Sequence, residues 1–495
     1  MTSSKSSPKR ASKTSFKAVS PFDLFYQLTY MSAMASSGIA RGKVFEIAAQ
    51  SSSPVAEYFV AINTLVDEMR YDYPEACRYI GMQAKSDNMK SFLLRMSDAL
   101  RSGEPLAEFL AREAEVQGGD YENEYERNLE ALKQWSSAFT SLTISVSLIV
   151  IIQVISSMIS SLNPPMMLSL MGSGVMMSLF GTYIIRRSAP HEVITVQPAQ
   201  GSAEQKQAMR LFRLLVPLGL MGVMILNLVG VPLGFLLILM SVMLLPIGII
   251  SLKSDRLTSK KDEEFSTFMR SVGGTASSSG TTLKQALTRI DLSSFPTLES
   301  DIERLSKRLQ ALVEPEICWR QFGQETGSKL ISEVVGIFYG AIKIGGDPER
   351  VGYLCSLFTS KTARLRAKRR LTSGTFSGLA TIMQAVIACL LIFVLSIVLS
   401  FAAMVQQLMP VDEAAVEGQA QINMGMASFT PGELQFLTNV TTGMVILMAF
   451  VTALAIILSD GGYKLKMALF LSMTLFISGV SILVIPGIVA GVLTK

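Results

Sequence analysis

One stretch of the sequence is similar to a phosphate-binding loop. Residues Gly323 to Lys329 read Gly-Gln-Glu-Thr-Gly-Ser-Lys. A phosphate loop needs four residues between its glycines, a Lys followed by Ser or Thr, and a preceding strand. Here three residues separate the glycines, Ser328 precedes the Lys, and no strand pattern leads into the segment. We therefore predict that this segment does not bind a nucleotide.

Histidine and cysteine offer little further chemistry. The chain has one histidine, His191, and four cysteines with no Cys-x-x-Cys pair. This usage predicts neither a disulfide framework nor a zinc site. Cys77 and Cys318 are interpreted as small residues on the buried faces of amphipathic helices. We predict a protein that is not an enzyme, carries no cofactor and has no nucleic-acid partner.

Basic side chains are the remaining candidates, and they form two groups. The first group belongs to or flanks two Gly-acid-Pro turns: Arg95, Arg101, Gly103, Lys343, Gly345, Gly346, Asp347 and Arg350. The second ends the helix that follows the second turn, and is a candidate membrane-surface anchor: Arg364, Arg366, Lys368, Arg369 and Arg370. A basic residue beside anionic headgroups gains about 1 kcal/mol. Each group has an open alternative. For the first group it is a solvated helix face without a binding role. For the second group it is docking of an acidic partner.

Composition shows which elements must position these residues. The 495 residues are 49% hydrophobic and only 17% charged. A soluble protein of ordinary composition carries about 25% charged residues. The apolar residues also cluster in long uncharged blocks, which indicates membrane-spanning helices. A membrane barrel would instead show short alternating segments.

We predict an all-α, polytopic membrane protein with about seven transmembrane helices and two duplicated cytoplasmic helical-bundle domains. The predicted order is a disordered basic tail (1–19), a helical domain (20–133), a transmembrane hairpin (134–185), a cytoplasmic loop (186–213), a second hairpin (214–252), a second helical domain (253–370), a fifth transmembrane helix (371–405), an external acidic loop (406–433), and a sixth (434–459) and seventh (467–494) transmembrane helix. The stretch from Pro348 to about Met404 is expected to form one nearly continuous helix.

Charge asymmetry predicts the orientation. Lys and Arg concentrate in the tail, the 186–213 loop and the 253–370 domain, whereas the 406–433 loop is acidic. Positive residues stay on the cytoplasmic side. The sequence therefore predicts a cytoplasmic N-terminus and an external C-terminus in the cell membrane.

The two predicted helical domains have glycine and proline residues at matching positions. Gly280 follows Gly38 by 280 − 38 = 242 residues, and Pro296 follows Pro54 by the same distance. Gly103-Glu-Pro corresponds to Gly346-Asp-Pro at 346 − 103 = 243. A fixed offset indicates duplicated units. We predict that Gly103 and Gly346 occupy equivalent turns and that Gly346 needs a positive φ.

A helical domain with an early Ser-Gly and a late Gly-acid-Pro turn, followed by a membrane helix, resembles the F domain of type II secretion and type IV pilus platform proteins. The resemblance covers roughly residues 20–160 and 262–405. Bacterial members with two such domains have about three spans. The added hairpins here are similar to the archaeal branch, the archaellum platform proteins and their pilus relatives.

This resemblance implies a membrane platform. The partners that it implies are a cytoplasmic hexameric ATPase, archaellin or pilin-like filament subunits, membrane lipids and a second copy of the chain. The Gly-acid-Pro group is then the candidate ATPase contact. Archaellum and adhesive pilus both stay open. The alternative function is a small-molecule transporter or channel, which is disfavoured because the spans contain almost no ionisable residues.

Overall fold

The computed structural model describes residues 16–156, 164–190, 192–196, 201–408 and 431–493. The basic tail up to residue 15, His191 and residues 409–430 of the predicted acidic loop lie outside the described residues, as does Lys495. Among the described residues the regular secondary structure is helical, apart from one isolated antiparallel bridge between Thr195 and Ser328. The predicted all-α class is confirmed.

Counted over the described residues, nine α-helices lie between the start of the first copy and the start of the second. In chain order they are α1 (Pro21–Ala35), α2 (Arg41–Ala49), α3 (Ala56–Met69), α4 (Tyr73–Gln83), α5 (Asp87–Ser102), α6 (Leu106–Ser156), α7 (Pro164–Ser188), α8 (Ala203–Leu228) and α9 (Leu233–Ser279). The remaining helices are α10 (Leu283–Arg289), α11 (Glu299–Gln310), α12 (Pro315–Glu325), α13 (Lys329–Lys343), α14 (Pro348–Leu408), α15 (Pro431–Asp460) and α16 (Met467–Leu493).

Seven of these helices are long and apolar enough to cross a membrane, counted over the ranges that the structure describes: α6, α7, α8, α9, α14, α15 and α16. The number of spans agrees with the prediction. The protein is therefore a multi-pass membrane protein. The predicted continuous helix from Pro348 is also confirmed, because α14 runs for 61 residues without a break.

The chain separates into two compact units. Unit 1 comprises residues up to 124, 263–320 and 333–362; unit 2 comprises 125–262, 321–332 and 363–495. Unit 1 thus combines most of both predicted helical domains. Whether each domain folds alone stays a prediction.

Aromatic residues of the two copies pack together in unit 1. The ring of Phe358, on α14, lies 4.8 Å from that of Phe25 and 6.0 Å from that of Phe22, both on α1. Such centroid separations are typical of favourable aromatic pairs. Cys77 and Cys318 are both fully buried, as predicted. Burial raises the pKa of the Cys77 thiol to about 12, so this thiol stays protonated and unreactive at neutral pH.

The backbone repeats the offset seen in the sequence. Helices α4, α5 and α6 begin at residues 73, 87 and 106, and α12, α13 and α14 begin at 315, 329 and 348. Each start differs by 242 (315 − 73, 329 − 87, 348 − 106). Residues with a left-handed backbone show the same offset of 242. Gly280 corresponds to Gly38, and Gly345 corresponds to Gly103 (345 − 103 = 242). The duplication is therefore a property of the fold.

Two segments leave their helices unbroken despite their composition. Glycine pairs often end helices, but α6 continues through Gly118 and Gly119. Gly118 is needed for close packing instead, since a Cβ placed there would lie 2.9 Å from Cε2 of Phe25. The basic run after Leu252 does not end a helix either, because α9 extends from Leu233 to Ser279. Charged residues continue a helix readily, so their appearance alone marks no boundary.

Candidate functional site: the paired turns and the basic end of α14

The first turn joins α5 to α6. Gly103 ends α5 in the left-handed conformation, with φ of 76°, and the N–H of Glu104 donates to the carbonyl of Ala99 at 3.2 Å. Glycine adopts this conformation without the Cβ clash that other residues meet. Arg101 and Gly103 are exposed. The turn therefore presents a cation and bare backbone to solvent.

Arg95 lies on α5 and is already paired. Its Nε and Nη2 donate to the two carboxylate oxygens of Glu113 at 2.8 and 2.7 Å. This bidentate hydrogen bond raises the pKa of Arg95 further and fixes the orientation of the guanidinium. A partner that used Arg95 would have to compete with Glu113.

The second turn joins α13 to α14 and contains one more residue. Gly345 has a φ of 92°, and the N–H of Gly346 donates to the carbonyl of Ala341 at 2.9 Å. The Asp347 carboxylate accepts from the N–H groups of Glu349 and Arg350 at 3.3 and 3.2 Å. Asp347 is thus the N-cap of α14, as its type and position predict. Gly345, Asp347 and Arg350 are exposed.

The prediction for Gly346 was wrong. The left-handed glycine of the second turn is Gly345, which is the partner of Gly103 in the 242-residue register. Gly346 is required for a different reason, since a Cβ there would lie 2.8 Å from the carbonyl oxygen of Ala341. The sequence match placed Gly346 opposite Gly103 because both precede an acid and a proline.

Lys343 forms an ion pair across unit 1. Its Nζ lies 2.7 Å from Oε2 of Glu316, which is on α12. The hydrogen bond to Glu316, with the charge attraction, raises the pKa of Lys343 and lowers the pKa of Glu316. Both side chains are about half exposed, so solvent screens the pair and its contribution to stability is small. The four basic candidates therefore divide into paired Arg95 and Lys343 and exposed Arg101 and Arg350.

The residues of the basic run of α14, Arg364 to Arg370, also fall into exposed, paired and buried groups. Arg364 is exposed, and Lys368 forms a half-exposed ion pair with Glu126. Arg370 donates to the hydroxyl of Ser259. Arg366 and Arg369 are buried, with 7% and 3% of their surface exposed. An anchor for lipid headgroups needs exposed charge, so these two residues do not fit the predicted role; for the other three it stays a prediction.

Arg369 holds the end of a neighbouring helix. Its Nε and Nη2 donate to the carbonyls of Ser459 and Leu458 at 3.0 and 3.3 Å, and Nη1 donates to the carbonyl of Pro190 at 2.8 Å. The first two are among the last carbonyls of α15, which have no partner within the helix. A cation at a helix C-terminus also interacts favourably with the helix dipole. Arg369 is therefore a structural link between α14 and α15.

A second buried cation lies in a short 3₁₀-helix, Lys464–Lys466, directly before α16. Lys466 Nζ is 3.0 Å from Oδ2 of Asp255 and 2.8 Å from Oδ2 of Asp460. Ser373 donates to the other carboxylate oxygen of Asp460 at 3.1 Å. Sequence analysis missed this group, because its members lie on four different helical segments and no local pattern links them. Among the described residues, no cluster of His, Cys, Asp and Glu side chains could hold a metal ion.

The segment that is similar to a phosphate loop is hydrogen-bonded to other parts of the same chain. The carbonyl of Gly327 accepts from the Gln205 amide at 3.1 Å and from the N–H of Val196 at 3.2 Å. The Ser328 hydroxyl donates to Asp262, which also receives Nη1 of Arg366 at 3.0 Å. The turn joins two helices rather than a strand and a helix. Its geometry therefore lacks the cradle of backbone N–H groups that phosphates need.

Comparison with known proteins agrees with this architecture. The family described as "Type II secretion system (T2SS), protein F" matches residues 28–154. This part of the chain is therefore similar to a T2SS F domain. The match covers the first copy of the repeat, from within α1 to near the end of α6.

Two archaeal proteins are similar to most of the chain. The flagella accessory protein J of Methanocaldococcus jannaschii is 25% identical over 414 residues, which is 81% of this chain and 72% of that protein. The flagella accessory protein J of Methanococcus voltae is 22% identical over 437 residues, 86% of this chain and 77% of that protein. No solved structure matches the chain. The predicted resemblance to the F-domain family and its archaeal branch is confirmed as a distant homology.

Proposed function

We propose that this F-domain protein is a non-enzymatic membrane platform that couples a cytoplasmic assembly ATPase to assembly of an archaellum or a type IV pilus-like filament. The observation that carries the proposal is the duplicated F-domain architecture joined to seven spans. In each copy the last helix begins directly after the Gly-acid-Pro turn and continues into a membrane-crossing segment, as α6 does in the first copy and α14 in the second.

A continuous helix is suited to passing force. At 1.5 Å per residue, α14 is on the order of 90 Å long. Its 61 residues are uninterrupted, and Asp347 caps the end that follows the turn. Motion of the turn at Gly345 would therefore move the membrane part of the same helix. Rotation and piston motion are both compatible with this arrangement.

The candidate docking residues are Arg101 and Arg350. Both are exposed cations beside a glycine turn, and they would meet an acidic surface of the ATPase. Arg95 and Lys343 are secondary candidates because Glu113 and Glu316 already hold them. We further propose that the chain acts as a homodimer, that the helical domains face the cytoplasm, and that the filament subunits, archaellins or pilin-like proteins, meet the membrane helices.

The experiment is a pull-down of the assembly ATPase from the same organism by the detergent-solubilised full chain, with filament assembly measured in cells at matched membrane levels. Arg101→Glu with Arg350→Glu should abolish docking and assembly while the protein still inserts. Arg364→Glu is the matched control, because Arg364 is exposed on the same helix as Arg350. Normal docking and assembly in the double variant would exclude these two residues as the contact.

Lys343 needs its own control. Lys343→Glu would place two carboxylates together and so disturb the turn independently of docking. Glu316→Gln breaks the same ion pair but keeps the Lys343 charge. A docking defect in Lys343→Gln that Glu316→Gln does not share would assign Lys343 to the ATPase contact.

The transporter alternative receives less support. A transporter would place polar groups along a path through the bundle. Gln384 is a buried polar residue within a span, and its amide is used within the protein. It accepts from Thr452 at 3.1 Å and donates to the carbonyl of Val445 at 3.5 Å. This arrangement is typical of contacts between membrane helices.

A further inference from the structure

In unit 2 the turn between α12 and α13 is covered by a non-helical segment of the same chain, residues 192–196. Thr195 and Ser328 form an antiparallel bridge. The N–H of Val196 donates to the carbonyl of Gly327 at 3.2 Å, and the N–H of Lys329 donates to the carbonyl of Ile194 at 3.0 Å. Backbone pairing of this kind is how proteins commonly hold an extended segment.

A buried charge fixes the register of that segment. The Glu192 carboxylate lies 3.2 Å from Nε of Arg366, and Nη1 of Arg366 lies 3.0 Å from the carboxylate of Asp262. The side chains of all three are less than a tenth exposed. Glu192 is therefore the charged group by which the covering segment is recognised.

The 242-residue repeat places an equivalent site in the first copy. Ser328 corresponds to Ser86, Asp262 to Ser20 and Arg366 to Glu124 (328 − 86, 262 − 20 and 366 − 124 each give 242). In unit 1 these three equivalents line one cavity of about 490 Å³. The other residues that line it are Ala18, Val19, Pro21, Asp87 and Asn88. Within the part of the chain that the structure describes, the covered site of the second copy thus has an open counterpart in the first.

Two charged positions of the second site have the opposite sign in the first, and Asp262 is replaced by the neutral Ser20. Glu124 stands where the second copy has Arg366, and Asp87 stands where it has Lys329. A covering segment with an acid at the position of Glu192 would be repelled by Glu124. A segment with Arg or Lys at that position would be attracted, because opposite charges select the partner.

We propose that the cavity lined by Ser20, Ser86 and Glu124 is a docking site for an extended segment of a protein partner that presents an Arg or Lys to Glu124. The inference goes beyond the proposed function, since it concerns neither the glycine turns nor the basic residues beside them. It predicts a second contact surface on the first F-domain copy, with a charge preference opposite to that of the second copy.

The test uses two peptides and the full chain in detergent. The probe peptide is Ala-Pro-His-Arg-Val-Ile-Thr-Val, which is residues 189–196 with Arg at the place of Glu192. The comparison peptide keeps the Glu. Binding is measured by fluorescence anisotropy. We expect the Arg peptide to bind at least about tenfold more tightly, which corresponds to about 1.4 kcal/mol.

The decisive variant is Glu124→Arg, which should reverse the preference between the two peptides. Asp87→Lys is a second variant that should weaken binding of the Arg peptide. Glu115→Arg is the matched control, because Glu115 is exposed on the same helix and does not line the cavity. Thermal unfolding and gel filtration confirm that each variant is folded. A reversal in Glu124→Arg, with no change in the control, supports the proposal.

Two results would overturn the proposal. The first is equal affinity of the native chain for both peptides, or a preference that Glu124→Arg leaves unchanged. The second is binding of the Arg peptide only after residues 2–15 are deleted, which would show that the chain's own basic N-terminal segment occupies the cavity. Because the test needs neither ATPase nor filament, its failure would leave the proposed function untouched.

Discussion

Arg70 and Leu312 share a left-handed backbone conformation, with φ of 58° and 61°, at positions 312 − 70 = 242 residues apart. Arg70 lies in the short turn between α3 and α4, and Leu312 lies in the short turn between α11 and α12. The N–H of Val313 then donates to the carbonyl of Arg308 at 3.2 Å. Neither residue is glycine, so the turn geometry imposes the conformation on both copies despite the strain.

The first prediction concerns this strain. A residue with a Cβ loses about 1–2 kcal/mol in the left-handed region. Leu312 is 83% exposed, so replacing it removes little buried surface. We expect Leu312→Gly to stabilise the protein by about 0.5–1 kcal/mol, because the unfolded-state entropy of glycine offsets part of the relief. Thermal unfolding of the detergent-solubilised chain measures the change, and Val313→Gly serves as the control. A fall in Tm for both variants alike would contradict the prediction.

The second prediction separates the two glycines of the α13–α14 turn. Gly345→Ala should cost about 1–2 kcal/mol through its positive φ, whereas Gly345→Asn should cost less because Asn tolerates this region. At Gly346 both substitutions should destabilise, since any Cβ meets the carbonyl of Ala341. Gly103→Ala and Gly103→Asn should behave like the Gly345 pair. Equal melting points for Ala and Asn at position 345 would mean that backbone strain does not govern this turn.

The helical framework follows closely from local sequence signals. Ser20 and Pro21 predict the start of α1, and the Ser20 hydroxyl accepts from the N–H of Asp23 at 3.1 Å. Gly230, Val231 and Pro232 separate α8 from α9, since glycine and proline favour a break between helices. The repeat offset was visible as well, because glycine is favoured where a helix ends in the left-handed conformation. Signals of this kind act over one or two turns of chain, which is why they can be recognised without the structure.

The buried polar groups could not be predicted in the same way. Asp262 and Arg366 are 104 residues apart in sequence, and Lys466 reaches Asp255 across 211. Nothing local distinguishes Arg366, which is buried, from Arg364, which is exposed two residues earlier. Which face of α14 meets the rest of the protein decides the difference. A helix of mixed polarity does not reveal that face in its sequence.

The third prediction concerns pH and the Lys343–Glu316 pair. Since Lys343 holds the pKa of Glu316 below its ordinary value of 4.5, the pair stabilises the fold above the unfolded pKa. That contribution is lost as the pH falls through the folded pKa. At the alkaline end it is lost as the pH rises through the raised pKa of Lys343. The Tm difference between the native chain and Lys343→Gln should therefore be small, largest between about pH 5 and pH 10, and vanish in acid. A difference that persists unchanged at about pH 3 would assign it to packing.

The fourth prediction compares two charge pairs on the same helix. Removal of one partner of a buried ion pair costs about 3–5 kcal/mol, because it leaves a charge without compensation. Arg366→Met leaves Asp262 and Glu192 buried together, so we expect a loss in that range. Lys368→Met breaks a half-exposed pair with Glu126 and should cost about 0–1 kcal/mol. Chemical unfolding of both variants measures the difference. Equal losses would show that the Arg366 network adds no stability.

The fifth prediction tests the proposed orientation. If the helical domains are cytoplasmic, a cysteine at Thr267 should be hidden from a membrane-impermeant thiol reagent in intact cells and react after lysis. A cysteine at Gly432, at the start of α15, should react in intact cells. Both native residues are exposed on the protein, so burial does not limit either reaction. The native chain is the control, because Cys77, Cys318 and Cys355 are buried and Cys389 lies within a span. Labelling of Thr267→Cys but not Gly432→Cys in intact cells would contradict the proposed orientation. The distribution of Lys and Arg would then oppose the positive-inside rule.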